Sequence, residues 1–165
     1  MTAASGALAR GVVLACAAAL CAGCASAPEA TPRTASGAPA ALLGAFVDDY
    51  GIAYEITDRE WVQRPNAHYR IVRWAPEDRY LIAQNDAANP TDGGLWTRID
   101  WVPLAGMAPY EWAFCLSVYD APTPGAAAAS GDADPSVPRT GCGGYPFSRM
   151  RRVAPGDSTG ASRGY

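Results

Sequence analysis

Lysine is absent. All 13 basic residues are arginine, and histidine occurs once, at His68. Without lysine there is no Schiff-base catalyst and no P-loop. A histidine base has one candidate, and no acid in the sequence can be assigned to orient it. Zinc lacks a ligand set as well, because the two cysteines that follow residue 24 and one histidine cannot complete four-coordination. Asp86, Asn89 and Asp92 do not follow the oxygen alternation of a calcium loop and are read as a polar hairpin loop. The net charge of −3 leaves no electrostatic footprint for nucleic acid. The short RMRR run at 149–152 is read as an arginine-decorated, exposed strand face. No cofactor, metal or nucleic-acid partner is expected, and no internal repeat is visible.

Turn formers and aromatics are plentiful: 17 Gly, 14 Pro, 5 Trp, 8 Tyr and 3 Phe in 165 residues. They punctuate short runs of β-branched and aromatic residues, the pattern of antiparallel strands joined by turns. The clearest runs are YLIAQND from Tyr80, LWTRIDWVPL from Leu95 and YEWAFCLSVYD from Tyr110. In the last, a period of two places Trp112, Phe114, Leu116 and Val118 on one face, expected inside. Glu111, Ala113, Cys115, Ser117 and Tyr119 fall on the other. In the run before it, Leu95, Ile99 and Trp101 are expected inside, and the face with Arg98 and Asp100 is expected to meet water. Further strands are expected at 43–47, 52–57, 61–63, 68–74 and 145–153. About eight short strands in succession predict an all-β fold, an up-and-down antiparallel barrel, with a β-sandwich as the alternative. The domain is expected over 42–153. Residues 121–138, rich in Ala, Pro, Gly and Asp, are expected as a surface excursion with at most one helical turn. Residues 154–165 are expected as a disordered tail.

The N-terminus reads as a targeting segment. Arg10 precedes an apolar stretch from Val12 to Leu20, too short to span a bilayer. The stretch ends Leu20-Cys21-Ala22-Gly23-Cys24. This resembles the lipobox of bacterial lipoproteins, although Cys21 stands where the family usually has leucine. The resemblance implies a signal peptide at 1–23 and a diacylated Cys24 as the first mature residue. It also implies a membrane anchor in the bacterial envelope. Ala25 is not the aspartate that retains some lipoproteins at the inner membrane, so the outer membrane is favoured, on its periplasmic or outer face. Residues 24–41 then form a lipidated, disordered tether. Cleavage removes Arg10 and no acid, moving the net charge from −3 to −4.

Cysteine counting follows from that cut. Cys16 and Cys21 leave with the signal peptide and Cys24 carries lipid. Cys115 and Cys142 remain in an oxidising compartment and are expected to pair, joining the last strand to the one before it. Two further resemblances are shorter on chemistry. Gly44-x-Phe46 followed by a hairpin resembles the entry to lipocalin-like and avidin-like barrels. The series YLIAQND, LWTRIDW, a single strand cysteine and a later GCGG is similar to a family of secreted bacterial proteins with no assigned activity. That similarity supports the domain and its disulfide and implies no chemistry.

Function stays open between classes. A barrel lined by Tyr69, Trp101, Trp112 and Phe114, with Gln84 as a polar group, could hold a small apolar ligand. The same rings could instead fill the core. The leading expectation is a non-enzymatic binding domain for a small molecule or an envelope protein. One alternative is a structural or inhibitory interaction module. Another is a carboxylate-based hydrolase built on Asp100 with Arg98, or on Asp48 with Asp49. Gly156-Asp157-Ser158-Thr159-Gly160 superficially resembles the nucleophile motif of chymotrypsin-like proteases, but no triad accompanies it. The lipid anchor has a direct check. Wild-type chain is expected in the detergent phase on detergent partitioning, and Cys24→Ser in the aqueous phase with the acyl mass missing.

Overall fold

The computed structural model describes residues 37–154. Cys24, the signal peptide, the tether up to residue 36, and the Ser158 motif in the tail lie outside the described residues. The strands are β1 (Gly44–Asp48), β2 (Ala53–Ile56), β3 (Glu60–Gln63), β4 (Ala67–Ala75), β5 (Tyr80–Asn85), β6 (Trp96–Pro103), β7 (Tyr110–Ala121) and β8 (Ser148–Arg152). Each pairs antiparallel with the next, and β8 pairs with β1, closing an up-and-down barrel. The all-β barrel expected from the sequence forms, and the sandwich does not.

Short polar side chains set the turns. At the β1–β2 turn, Asp48 Oδ1 accepts the amides of Tyr50 (3.0 Å) and Ile52 (2.8 Å). At the β2–β3 turn, Thr57 Oγ1 accepts those of Arg59 and Glu60. Both are side-chain mimics of a backbone turn. Residues ahead of the expected boundary at 42 also take part in the fold. Ala40–Leu42 form a 3-10 turn, and Arg152 donates to the carbonyls of Leu43 (2.8 Å) and Ala41 (2.9 Å). Gly44 sits under that guanidinium with φ 125°, and a Cβ there would lie 2.7 Å from Arg152 Nη1. Only glycine satisfies both conditions.

The barrel interior is filled by side chains. Phe46, Leu81, Ala83, Ile99 and Met150 are fully buried, and Trp61, Trp112, Phe114 and Tyr54 pack among them. The rings meet edge to face: Phe46 with Trp112 at 5.2 Å, Trp61 with Phe114 at 5.1 Å and Tyr54 with Phe114 at 5.4 Å between centroids. Such pairs add about 0.5–1.5 kcal/mol each beyond the area they bury. An eight-stranded barrel is just wide enough for this packing. The indole N–H groups of Trp61 and Trp112 are buried in it with no hydrogen-bond acceptor among the described residues.

The outer wall departs from expectation. The face of β6 expected to meet water, and the adjoining outward face of β7, are covered by residues 122–147. The helix α1 (Pro124–Ala129), capped by Thr123 Oγ1 on the Ala126 amide, lies over Tyr80, Ile82, Val118 and Ala121 with Ala127 fully buried. Farther along, Phe147 lies over Val102, Ala113 and Cys115. The excursion is therefore a second layer, and its small alanines hide their apolar face from a periodicity test. Val118 is a specific correction. Register shifts between β6 and β7 place Ile99 opposite Leu116 but Arg98 opposite Val118. A bulge reverses the alternation, so Leu116 packs on the barrel core and Val118 on the outer cluster.

Arg98 and Asp100 are likewise not solvated. Asp100 is 2% exposed, and its oxygens accept Arg98 Nη2 (2.7 Å), Arg98 Nε (3.0 Å) and Ser117 Oγ (2.5 Å). Arg98 also donates to the Ala128 carbonyl at the end of α1 (2.7 Å) and stacks over Tyr80 at 4.0 Å. The RMRR run does not form a bare basic face either. Met150 points into the core, Arg149 pairs with Asp49, and Arg152 lies over Phe46 at 4.5 Å.

Cys115 and Cys142 are disulfide-bonded, with Cα atoms 5.6 Å apart. Cys142 precedes β8, so the bond ties the covering segment to β7 rather than strand to strand. The chain-entropy estimate for a loop of this length is about 3.6 kcal/mol. The double variant Cys115→Ala/Cys142→Ala is expected to lose about that much stability in urea denaturation followed by tryptophan fluorescence.

Candidate binding clefts

With the barrel interior packed by side chains, two clefts on the outside of the described residues stand out. The larger encloses about 560 Å³. Its walls come from four places: Asp49 and Tyr50 of the β1–β2 turn, Leu104 and Met107 of the β6–β7 loop, Ala113 and Arg149 of the strands, and Pro138, Arg139, Pro146 and Phe147 of the covering segment. The sequence positions these residues locally. The Asp48 turn projects Tyr50, which is 69% exposed, and the Leu104 amide bonds the Glu111 carbonyl (2.9 Å) to close the β6–β7 loop. The Phe147 amide bonds the Pro138 carbonyl (2.8 Å), holding the two edges of the covering segment together beside the disulfide.

The charges of this cleft are unequal in availability. Asp49 accepts the Arg149 amide (3.1 Å) and Nε (2.8 Å), and the Arg149 guanidinium stacks over Tyr110 at 4.6 Å. The hydrogen bond to Asp49 raises the Arg149 pKa, and in this ion pair the acid offsets the arginine. Arg139 is exposed and makes no hydrogen bond or ion pair among the described residues. The cleft thus offers an apolar wall with one uncompensated cation at its edge.

The smaller cleft, about 320 Å³, lies on the outer face of β3, β4 and β5 beneath the β5–β6 loop. Tyr69 and Gln84 both line it, together with Glu60, Val62, His68 and Arg70. Burial first, and then the charge of Asp92, raises the Tyr69 pKa.

The five residues grouped by sequence as a ligand lining are therefore divided. Trp101, Trp112 and Phe114 belong to the packed core, Tyr69 packs against that core and also lines the smaller cleft, and Gln84 lies in the smaller cleft alone. Tyr50, Met107, Arg139 and Phe147 of the larger cleft were missed. A signal existed for two of them. Tyr50 and Met107 are large apolar residues inside turns, positions that small polar residues usually occupy.

The two carboxylate pairs considered for hydrolysis have other roles. Asp48 is 4% exposed and accepts the Tyr54 hydroxyl at 3.0 Å inside the barrel, while Asp49 faces Arg149 outside. Burial, with the Asp48 charge second, pushes the Tyr54 pKa far upward, so it donates as a neutral phenol. The Asp100 carboxylate is saturated by Arg98 and Ser117 under α1. Among the described residues no cluster of three metal-ligating side chains occurs.

Comparison with protein-family models, curated proteins and solved structures finds no match to this chain. Its chemistry rests on its own geometry. Asp100→Ala is expected to cost about 3–5 kcal/mol, because it strands the Arg98 charge beneath α1. Thermal denaturation checks this, and Arg98→Met is expected to cost a comparable amount, because it strands the still more deeply buried Asp100 carboxylate.

Proposed function

We propose that the chain is a non-enzymatic binding domain of a bacterial envelope lipoprotein, tethered through Cys24. It takes a small amphipathic molecule in the larger cleft, apolar body on Phe147, Leu104 and Met107 and anionic group toward Arg139. The observation that carries this reading is the shape and chemistry of that cleft. Its volume of about 560 Å³ and its predominantly apolar lining with few polar groups suit a small ligand. The carboxylates weighed for catalysis are each committed to an arginine, a tyrosine or a serine, which supports binding over turnover. The outer membrane remains the proposed location, on the lipobox resemblance and Ala25.

One observation favours a second reading, an interaction module for another envelope protein. Tyr50 and Met107, 69% and 41% exposed, stand on the cleft lining, and the covering segment that builds its wall also carries Tyr145, 74% exposed. Exposed aromatics and methionine are enriched at protein interfaces.

The probe 1-anilinonaphthalene-8-sulfonate combines fused rings with one anionic group. It is expected to bind the folded chain saturably with enhanced fluorescence. Arg139→Glu and Met107→Glu are each expected to weaken that binding about tenfold or more, equivalent to about 1.4 kcal/mol. Saturable binding untouched by both substitutions would refute the cleft as the small-molecule site.

A further inference from the structure

The smaller cleft has a chemistry of its own, independent of the larger one. Its floor is the outer face of three adjacent strands, and the register shows what that face presents. Glu60 of β3 stands opposite Arg70 of β4, and Arg70 opposite Gln84 of β5. Directly opposed residues on one face have Cβ atoms about 4.5–5.5 Å apart. A carboxylate, a guanidinium and a carboxamide therefore stand in one row. Val62 and His68 face each other in the next row, two residues along. Arg70 Nη2 donates to Gln84 Oε1 at 2.6 Å, and Gln84 Nε2 donates to the Gly94 carbonyl at 3.3 Å, so the row is oriented before anything binds. The side chains of Glu60 and His68 make no hydrogen bond or ion pair among the described residues. They are an open acceptor and an open donor–acceptor.

The rim is built as firmly. The carboxamide of Asn89 clamps the backbone of His68, accepting its amide and donating to its carbonyl, both at 2.8 Å. This fixes the β5–β6 loop over the start of β4. Asn85 Nδ2 holds the far side of the loop by donating to the Asp92 carbonyl at 2.9 Å. The cleft is thus a pocket of fixed width rather than a gap under a loose loop.

Chemistry narrows the occupant. A peptide strand has no edge to join, because the barrel is closed. Two acids, Glu60 and Asp86, against one arginine, Arg70, disfavour an anion. Those two acids and the lone histidine do not form a metal-ligating cluster among the described residues. What fits is a neutral molecule with several hydroxyl groups and an apolar ring face. Its hydroxyls would meet the alternating acceptors and donors of Glu60, Arg70 and Gln84, and its C–H face would lie on Val62 and the imidazole. We propose that this cleft is a saccharide-binding site for one neutral sugar ring.

The test uses the full-length chain labelled with nitrogen-15 and titrated with N-acetylglucosamine, with glucuronate in a parallel series. Saturable amide shifts are expected at His68, Arg70 and Gln84, and none at Asp49 or Arg149 of the larger cleft. Glu60→Ala and Gln84→Ala are each expected to weaken binding about tenfold, the effect of a lost charged or multiple hydrogen bond. Both positions are on the outer face, and the dispersion of the same spectra verifies that the variants fold. Absence of saturable shifts at these residues overturns the proposal. Shifts that persist unchanged in both variants also overturn it. Binding of glucuronate without N-acetylglucosamine overturns it too, because the site would then select an anion.

Discussion

Closure of the barrel by β8 is the constraint on which everything else depends. Five residues, Ser148–Arg152, pair on one side with β1 and on the other with β7. Met150 reaches the core from the middle of that strand, opposite both Asp48 and Trp112. With eight strands closed, the interior has room for side chains and little else. The aromatic rings fill it edge to face, and no strand edge is left to pair with another chain. A small domain with a single core is marginal. Here the core is supplemented by ring–ring contacts inside and a cross-link outside.

The same closure explains the second layer. β7 has 12 residues, more than β8 can cover, and β6 opposite it has eight. The outward faces of β5, β6 and β7 carry Ile82, Val102, Ala113, Cys115 and Val118, too apolar to leave in water. Residues 122–147 cover them, and two attachments hold that cover in place. Arg98 reaches the last turn of α1, where a cation meets the carbonyl end of the helix. The disulfide fixes Cys142 to β7. Gly141 lets the chain pass against Asp134, whose carbonyl a Cβ would overlap. Asp100 and Arg98 form a charged latch whose geometry is bidentate and whose remaining groups are bonded, the condition under which a buried pair is tolerated.

Concave surface arises where that cover meets the barrel and where the β5–β6 loop folds back. The larger cleft sits at the seam between the covering segment, the β1–β2 turn and β8. The smaller one sits under the Asn89 clamp. Their linings contrast as their origins do. A seam between packed apolar layers exposes Phe147, Leu104 and Met107, whereas a groove over a solvent-facing strand surface exposes Glu60, His68, Arg70 and Gln84. Loops carried on a rigid scaffold are where recognition residues concentrate, and the larger cleft follows that rule, whereas the smaller one presents most of its residues from strands.

The chain by itself determined the strands. Period-two alternation, turn residues and the aromatic runs located all eight, and the pairing of Cys115 with Cys142 followed once the lipobox resemblance accounted for the other cysteines. Strand signals are local, because alternation and turn chemistry are written within a few residues. Tertiary structure alone decided that the outward faces of β6 and β7 are dry as well. Asp100 and Cys115 lie on faces that read as solvated, and they are buried by a segment that meets them only after the barrel forms. Val118 changed sides because a bulge depends on the partner strand's register, which no single strand encodes. The clefts have the same character. Tyr50, Met107, Arg139 and Phe147 are far apart along the chain and share one wall because closure brings the β1–β2 turn, the β6–β7 loop and the covering segment to the same side of the barrel.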